Sequence, residues 1–172
     1  MDVINAIKAR TSIRKYQNKE ITRDTILELI DAARLAPSGN NSQPSKYLII
    51  QDVKIKNMLK KNKIFVQKFV YESPVIIVCC ANPLEYKKKS TLIDSTNDLR
   101  AVRDLSIASS FLILRATELG LGTCYVGWVK KEEIKSLLNI PMNYIVPYVI
   151  TVGYPAEKPE ARARKNIEEI IL

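Results

Sequence analysis

The sequence predicts an α+β fold, a central mixed sheet flanked by helices, and three observations carry that prediction. Helix and strand patterns follow one another irregularly, without the alternation that builds a doubly wound sheet. Residues 74–81 form an apolar run of strand length, read as a strand buried on both faces. Residues 98–119 form a helix apolar nearly all round, which must be covered on more than one side.

Each element has a local reason. Asp2 caps a short helix over residues 2–10 with Val3 and Ile7 on one face, and residues 10–14 then read as extended. Thr22 caps a second helix in which Ile26, Leu27, Ile30 and Ala33 follow helical spacing, and which stops before Pro37. A strand is expected at 47–51 and a basic helix at 53–61. Residues 85–98 are polar and lysine-rich, a candidate loop or lid. In the long helix Leu105, Ala108, Leu112, Ala116 and Leu119 form one row, and Ile107, Phe111 and Leu114 form another that a second copy of the chain would cover. Gly120 ends this helix. A strand near 124–128, an amphipathic helix at 130–138 and a strand at 145–153 complete the chain, with no internal repeat.

Composition narrows the function. A chain of 172 residues reads as one domain, 1–172, able to bury about 70% of its unfolded surface. The longest apolar run, 75–81, is too short to span a bilayer, and the N-terminal residues lack a signal peptide pattern, so a cytoplasmic location is expected. Three cysteines, two of them adjacent at Cys79 and Cys80, suit a core rather than a disulfide framework or a metal site. The absence of histidine removes the commonest general base, so the chemistry must come largely from a cofactor. The net charge of +9 raises nucleic acid as a partner. The lysines, however, are spread over 54–68, 87–89 and 130–135 without an interleaved aromatic platform, and an anionic cofactor would account for part of the excess.

Two polar clusters stand out. In an extended segment Arg10, Ser12 and Arg14 project the same way, and two guanidinium forks around a hydroxyl suit a phosphate monoester. Arg10 has a second reading, as a cation complementing the C-terminus of the first helix. The other cluster runs Pro37-Ser38-Gly39-Asn40-Asn41-Ser42-Gln43-Pro44; its amides match a ligand edge carrying both donors and acceptors, or else it is a polar turn after a helix. Gly120 and Gly122 do not make a dinucleotide fingerprint, because they close a helix instead of opening one.

Taken together, four blocks resemble the nitroreductase family of FMN-dependent oxidoreductases: residues 10–16, 36–44, 120–127, and 152–159 followed by Arg162, Arg164 and Lys165. The resemblance covers nearly the whole chain. It implies a two-fold homodimer with two FMN sites at the interface, each lined by both chains. Arg10, Ser12 and Arg164 would hold the phosphate, with Thr11 and Lys165 beside them. Arg14 would lie there or at the pyrimidine edge of the flavin. Pro37, Ser38, Gly39, Asn41 and Gln43 would come from the other subunit, and Val126 and Gly127 would flank the reactive N5 side, where a glycine leaves room for the ring. No catalytic acid or base is implied. NADH or NADPH would reduce the flavin, which would pass hydride to a small nitroaromatic or quinone-like acceptor in a ping-pong cycle. Two alternatives accompany this reading: a dehalogenase or flavin-consuming enzyme on the same fold, and a basic nucleic-acid-binding module. The sequence departs from the family pattern at Ser45, where a tryptophan is common, and in its short length. Ile167, Ile170 and Ile171 lie at helical spacing in a charged tail, which would pack across the dimer or dock on its own subunit.

Overall fold

The computed structural model describes residues 1–86 and 96–172. In chain order the regular elements are α1 (Val3–Ala9), α2 (Arg23–Arg34), β1 (Ser45–Ile50), α3 (Val53–Lys61), α4 (Phe69–Glu72), β2 (Val75–Ala81), α5 (Asn97–Glu118), β3 (Gly122–Val126), α6 (Lys131–Leu137) and β4 (Ile145–Gly153). Of the expected loop at 85–98, residues 87–95 lie outside the described residues. Its described ends belong to a 3-10 turn, Pro83–Glu85, and to the start of α5.

The strands form one sheet in the order β1-β2-β4-β3, with every ladder antiparallel. The fold is α+β as expected, but the ladders are antiparallel where a mixed sheet was predicted. The reason lies in the connection through α5. It is a crossover, so β2 and β3 run in the same direction, but β4 inserts between them and pairs antiparallel with both. Among the described residues the parallel pairing that occurs is a single bridge, Ser12 to Thr123, outside the named strands.

Helices cover both faces of the sheet. On one, Ile26, Leu29 and Ala33 of α2 and Ala101, Leu105, Ala108, Leu112 and Ala116 of α5 pack with Val75, Ile77, Cys79, Ile150 and Val152. On the other, Leu59 of α3, Val70 of α4 and Ile134 of α6 pack with Ile76, Val78, Cys80, Cys124, Val126 and Val149. Strand β2 is therefore buried along its whole length, which is why it lacks polar alternation. Cys79, Cys80 and Cys124 are free, buried thiols.

Local signals set the ends of α5. The Thr96 hydroxyl accepts from Leu99 N at 3.3 Å, and at the other end Gly120 takes φ +74 while Leu121 N returns to Ala116 O at 2.8 Å. The predicted inner row of α5 is buried from Leu105 to Ala116, and Phe111 of the outer row stays 41% exposed. Two faces were assigned differently from the structure. In α1 the buried residue is Ala6, with Val3 and Ile7 exposed, and in α2 Leu29 is buried while Leu27 faces solvent. In α2 the spacing 26, 29, 33 gives a straighter stripe than one drawn through 27.

The N-terminal extended segment joins the sheet through two close approaches. Gly122 and Gly153 are cross-strand partners at one end of the sheet. A side-chain carbon at Gly122 would lie 2.6 to 2.9 Å from Ile13, and one at Gly153 would lie 2.5 Å from the Tyr16 ring and 2.7 Å from Pro74. Only glycine permits Ile13 and Tyr16 to sit there. Gly153→Ala is expected to destabilise the protein by about 1–3 kcal/mol through overpacking, measured by urea unfolding, with Gly127→Ala as an uncrowded comparison.

Candidate functional site

The basic cluster is built by the end of α1. Arg10 leaves the helix with extended backbone, φ −61 and ψ 119, and the chain then lies against β3, where Ile13 N donates to Thr123 O at 2.9 Å. The Tyr16 hydroxyl fixes the far end, donating to Ile13 O at 2.6 Å and lying 2.7 Å from Thr151 Oγ1. Burial holds that phenol neutral by pushing its pKa up. Arg10, Ser12 and Arg14 come together around Cys124: burial pushes its thiol up, while Arg14, a hydrogen bond from Ser12 and Arg10 each act in the opposite direction. Among the described residues neither Arg10 nor Arg14 forms a salt bridge. Two guanidinium groups and a hydroxyl thus share a place in which neither guanidinium is tied up in a salt bridge, although the Glu157 carboxylate also acts there, and the two free forks can accept an anion. Thr11, between Arg10 and Ser12 in sequence, is half-buried.

The fourth block meets the first. Ala156 N donates to Lys15 O at 2.9 Å and Gln17 N to Tyr154 O at 2.8 Å. The Glu157 carboxylate accepts from Arg14 N at 2.6 Å and from Lys15 N at 3.1 Å. Glu157 therefore shapes the backbone that presents Arg14, a role not foreseen from the sequence although the residue lies within the fourth block. Arg164 and Lys165 are not brought to this cluster within the chain. They lie on an exposed tail, and Arg164 donates to the carbonyls of Arg162 and Ala163.

The polar loop 37–43 lies beside β1, at the opposite edge of the sheet from the basic cluster. It is tightly specified. Asn40, Asn41 and Gln43 take φ of 55, 52 and 48, a left-handed conformation that costs of order 1–3 kcal/mol per residue unless the surroundings hold it. Ser38 Oγ accepts from Gln43 N at 3.0 Å, and Gly39 N donates at 2.7 Å to the carboxylate of Asp104. Asp104 is 2% exposed in the middle of α5; it also accepts from the Tyr86 hydroxyl and pairs with Arg103 at 3.2 Å. An acid falling between Ala101 and Ala108 on a buried helical row was the available signal for it. A cavity of about 250 Å³ opens beside the loop, lined by Pro37, Ser38, Gln43, Ser45, Tyr47 and Asp104 among others. Ser45, where the family pattern often has tryptophan, leaves this space open.

The third block ends at Val126, 2% exposed, and at Gly127, where an added side chain would meet nothing within 4 Å. Strand β3 stops there, short of the expected 128, because Val129 N turns back to Gly127 O at 3.0 Å and leaves Trp128 69% exposed. An open backbone edge at this point is a surface on which a flat ring can lie.

Comparison with known proteins identifies the family. The Nitroreductase family model matches residues 7–68 and 61–154. A protein of Methanothermobacter thermautotrophicus named "Putative NADH dehydrogenase/NAD(P)H nitroreductase" is 35% identical over 168 residues, 94% of this chain and 82% of its own. The FMN reductase [NAD(P)H] of Bacillus subtilis is 26% identical, over 98% of this chain and 72% of that one. A solved nitroreductase family protein of Clostridium difficile 630 has a TM-score of 0.85 at 25% identity, covering 100% of this chain and 98% of that chain. This chain belongs to the nitroreductase family.

The two carboxylates that shape the site are expected to differ in cost. Asp104→Leu leaves Gly39 N and the Tyr86 hydroxyl without a buried acceptor and should cost about 3 kcal/mol in denaturant unfolding. Glu157→Ala, in a more exposed place, should cost below about 1 kcal/mol yet accelerate amide exchange at Arg14 and Lys15, with Glu157→Gln retaining most of the protection.

Proposed function

We propose that this chain is an NAD(P)H-dependent FMN oxidoreductase formed by the single domain 1–172, working as a homodimer with its flavin sites at the subunit interface. The observation that carries the proposal is the separation of the two halves of the site. The arginine cluster extends the sheet beyond β3, and the amide loop precedes β1 at the other edge, some four strand spacings or roughly 19 Å away. A second copy supplying its own loop resolves that separation. Exposed apolar groups that line one groove, Val3, Leu35 and Phe111, support such pairing, as do Ile167, Ile170 and Ile171, which stay exposed on the tail.

The residues fit FMN. Arg10 and Ser12, with Arg164 delivered by the tail, hold the phosphate, and Thr11 and Lys165 stand next to them. Arg14, whose guanidinium forms no salt bridge among the described residues, sits at the phosphate or at the pyrimidine edge, where a cation favours negative charge on the ring. Pro37, Ser38, Gly39, Asn41 and Gln43 of the partner's loop contact the ring, its strained backbone kept in place by Asp104. The edge at Val126 and Gly127 leaves room for N5. When bound, FMN supplies hydride transfer from NADH or NADPH to a small nitroaromatic or quinone-like acceptor in a ping-pong cycle. The chain itself binds, orients and holds charge. With Ser45 beside an open cavity, the acceptor side is roomy.

Protein isolated without added cofactor is expected to be yellow, or to turn yellow on titration with FMN, and to bleach when NADPH or NADH is added anaerobically. Arg10→Ala with Arg164→Ala should weaken FMN binding by about 2–5 kcal/mol in equilibrium titration, as when a charged partner is removed from a desolvated pair. Unchanged FMN affinity with lost retention on RNA or DNA would turn the reading to a nucleic-acid module. Light scattering in dilute solution should give a dimer; a monomer that binds FMN fully would refute the shared site.

A further inference from the structure

We propose that the cavity enclosed by α2, the 37–43 loop, β1 and α5 is a pocket for a neutral single-ring quinone acceptor, with the Tyr47 hydroxyl donating to a quinone oxygen; this deepens the reading above and rests on it. The cavity measures about 250 Å³. An apolar space of about 150 Å³ already admits one benzene ring, so a substituted ring fits here. Ile30, Ala33, Pro37, Pro44 and Ala108 give it apolar walls. Its two cations are paired, Arg34 with Asp31 at 2.7 Å and Lys46 with Glu85 at 3.5 Å. The remaining charge of the lining is Asp104, which is held by Gly39 N, the Tyr86 hydroxyl and Arg103 and repels an anion. Such a lining selects a neutral molecule.

The polar contact comes from Tyr47, which lines the same cavity. Its hydroxyl is closed off from solvent and meets no hydrogen-bond partner among the described residues. The neighbours explain why. Tyr47 and Tyr148 flank Cys79 across the sheet, and Ser109 of α5 already accepts from the Tyr148 hydroxyl at 3.0 Å. Burial pushes the Tyr47 phenol up; Ser109 and Ser45 ease that rise without meeting the hydroxyl at bonding geometry, so it stays a protonated donor. A buried donor without an acceptor is a standing cost, and a carbonyl oxygen in the adjoining cavity removes it. Ser45 makes the space for that ring. It stands two residues before Tyr47 on the same face of β1, and an indole in its place would take up the volume that its small side chain leaves. Pro37, Ser38 and Gln43 line the cavity and also belong to the loop assigned to the partner's flavin, which puts the acceptor next to the ring. Reduction of the quinone to the hydroquinone consumes one hydride, drawn from NADH or NADPH by way of the flavin, and one proton from solvent.

Duroquinone, whose ring carbons all carry methyl groups and so resist addition by thiols, is the probe. Calorimetric titration of the oxidised full chain reads binding without turnover, and anaerobic mixing separates bleaching by NADPH or NADH from recolouring by duroquinone. Ser45→Trp is expected to weaken duroquinone binding about tenfold or more by filling the cavity, and Tyr47→Phe about fivefold, the value of one neutral hydrogen bond. In both variants the duroquinone KM rises with kcat retained, while bleaching and FMN affinity are unchanged. Duroquinone binding that survives both substitutions overturns the proposal, as does an unchanged chain that binds FMN and not duroquinone. A loss of FMN affinity or of bleaching alongside the loss of duroquinone also overturns it, because the loop and not the cavity was then altered. Tyr47→Phe decides the matter by itself if Ser45→Trp fails to fold. If the unchanged chain takes up no FMN, the cofactor reading fails and the acceptor role with it, a result told apart from the others because the titration still reads the cavity.

Discussion

The site depends on a steric condition at the end of the sheet where Gly122 and Gly153 face each other. Their missing side chains let Ile13 and Tyr16 descend onto the strands, and nothing larger than hydrogen fits at either place. That contact lays the segment after α1 along β3, where Ser12 bridges to Thr123. The electrostatic feature follows from the packing. With Ile13 buried, Ser12 and the two flanking arginines are drawn around Cys124, and Glu157 closes the backbone beneath Arg14. Residues from positions 10 to 157 thus meet because two glycines allow it. Charge by itself would have kept Arg10 and Arg14 apart.

A second constraint works at the opposite edge. The loop before β1 has three consecutive or near-consecutive residues with left-handed backbone, none of them glycine, a conformation that loses energy at each position. Asp104 offsets part of that cost by taking Gly39 N into a buried carboxylate, and Tyr86 shares the same acceptor. A buried acid in a long, otherwise apolar helix is expensive unless fully satisfied. Here its partners are the loop backbone, a phenol and Arg103, so the cost of the acid and the strain of the loop are met by one set of contacts. The sheet separates this edge from the arginines by the central strands β2 and β4, the separation on which the proposed pairing of two chains rests.

Much of this was legible in the sequence, and the failures have physical causes. Helix α3 and strand β4 fell where composition and periodicity put them, and Gly120 ended α5 as its conformational freedom implies. The inner row of α5 was readable because helical spacing is a local property. Local spacing did not say which of two apolar stripes on α2 faces the sheet, nor that Val3 and Ile7 of α1 would be left outside, since both depend on what lies opposite. The direction of the ladders was likewise hidden, because it depends on where β4, the last strand of the chain, inserts. In the site, Arg10, Ser12 and Arg14 converge as alternation predicted. Asp104 and Glu157 escaped because their roles are to hold backbone amides distant in sequence, 65 and 143 residues away, and no motif encodes such a partner. Arg164 illustrates the remaining limit: the family resemblance expects it at the phosphate, but on the exposed tail of a single chain its guanidinium donates, among the described residues, to the carbonyls of Arg162 and Ala163.

The titratable groups of the interior bear on the kind of chemistry this chain suits. It has no histidine, and burial drives the remaining candidates away from neutrality. Tyr125 is pushed up to about 12 and Cys80 to about 11, in each case chiefly by burial. Tyr16, Tyr47, Tyr148 and Cys79 go further in the same direction for the same reason. These phenols and thiols stay protonated across the physiological range, so none of them is poised as a general base or as a thiolate nucleophile. Cys124 is the one buried thiol on which cations act, and even there burial outweighs Arg14, Ser12 and Arg10. What the described residues offer instead is two arginines that form no salt bridge, a braced set of amides and an uncrowded backbone edge. Groups of that kind stabilise charge on a bound molecule without exchanging protons with it. Hydride chemistry carried by a flavin asks for that set of provisions, and a proton relay through protein side chains does not.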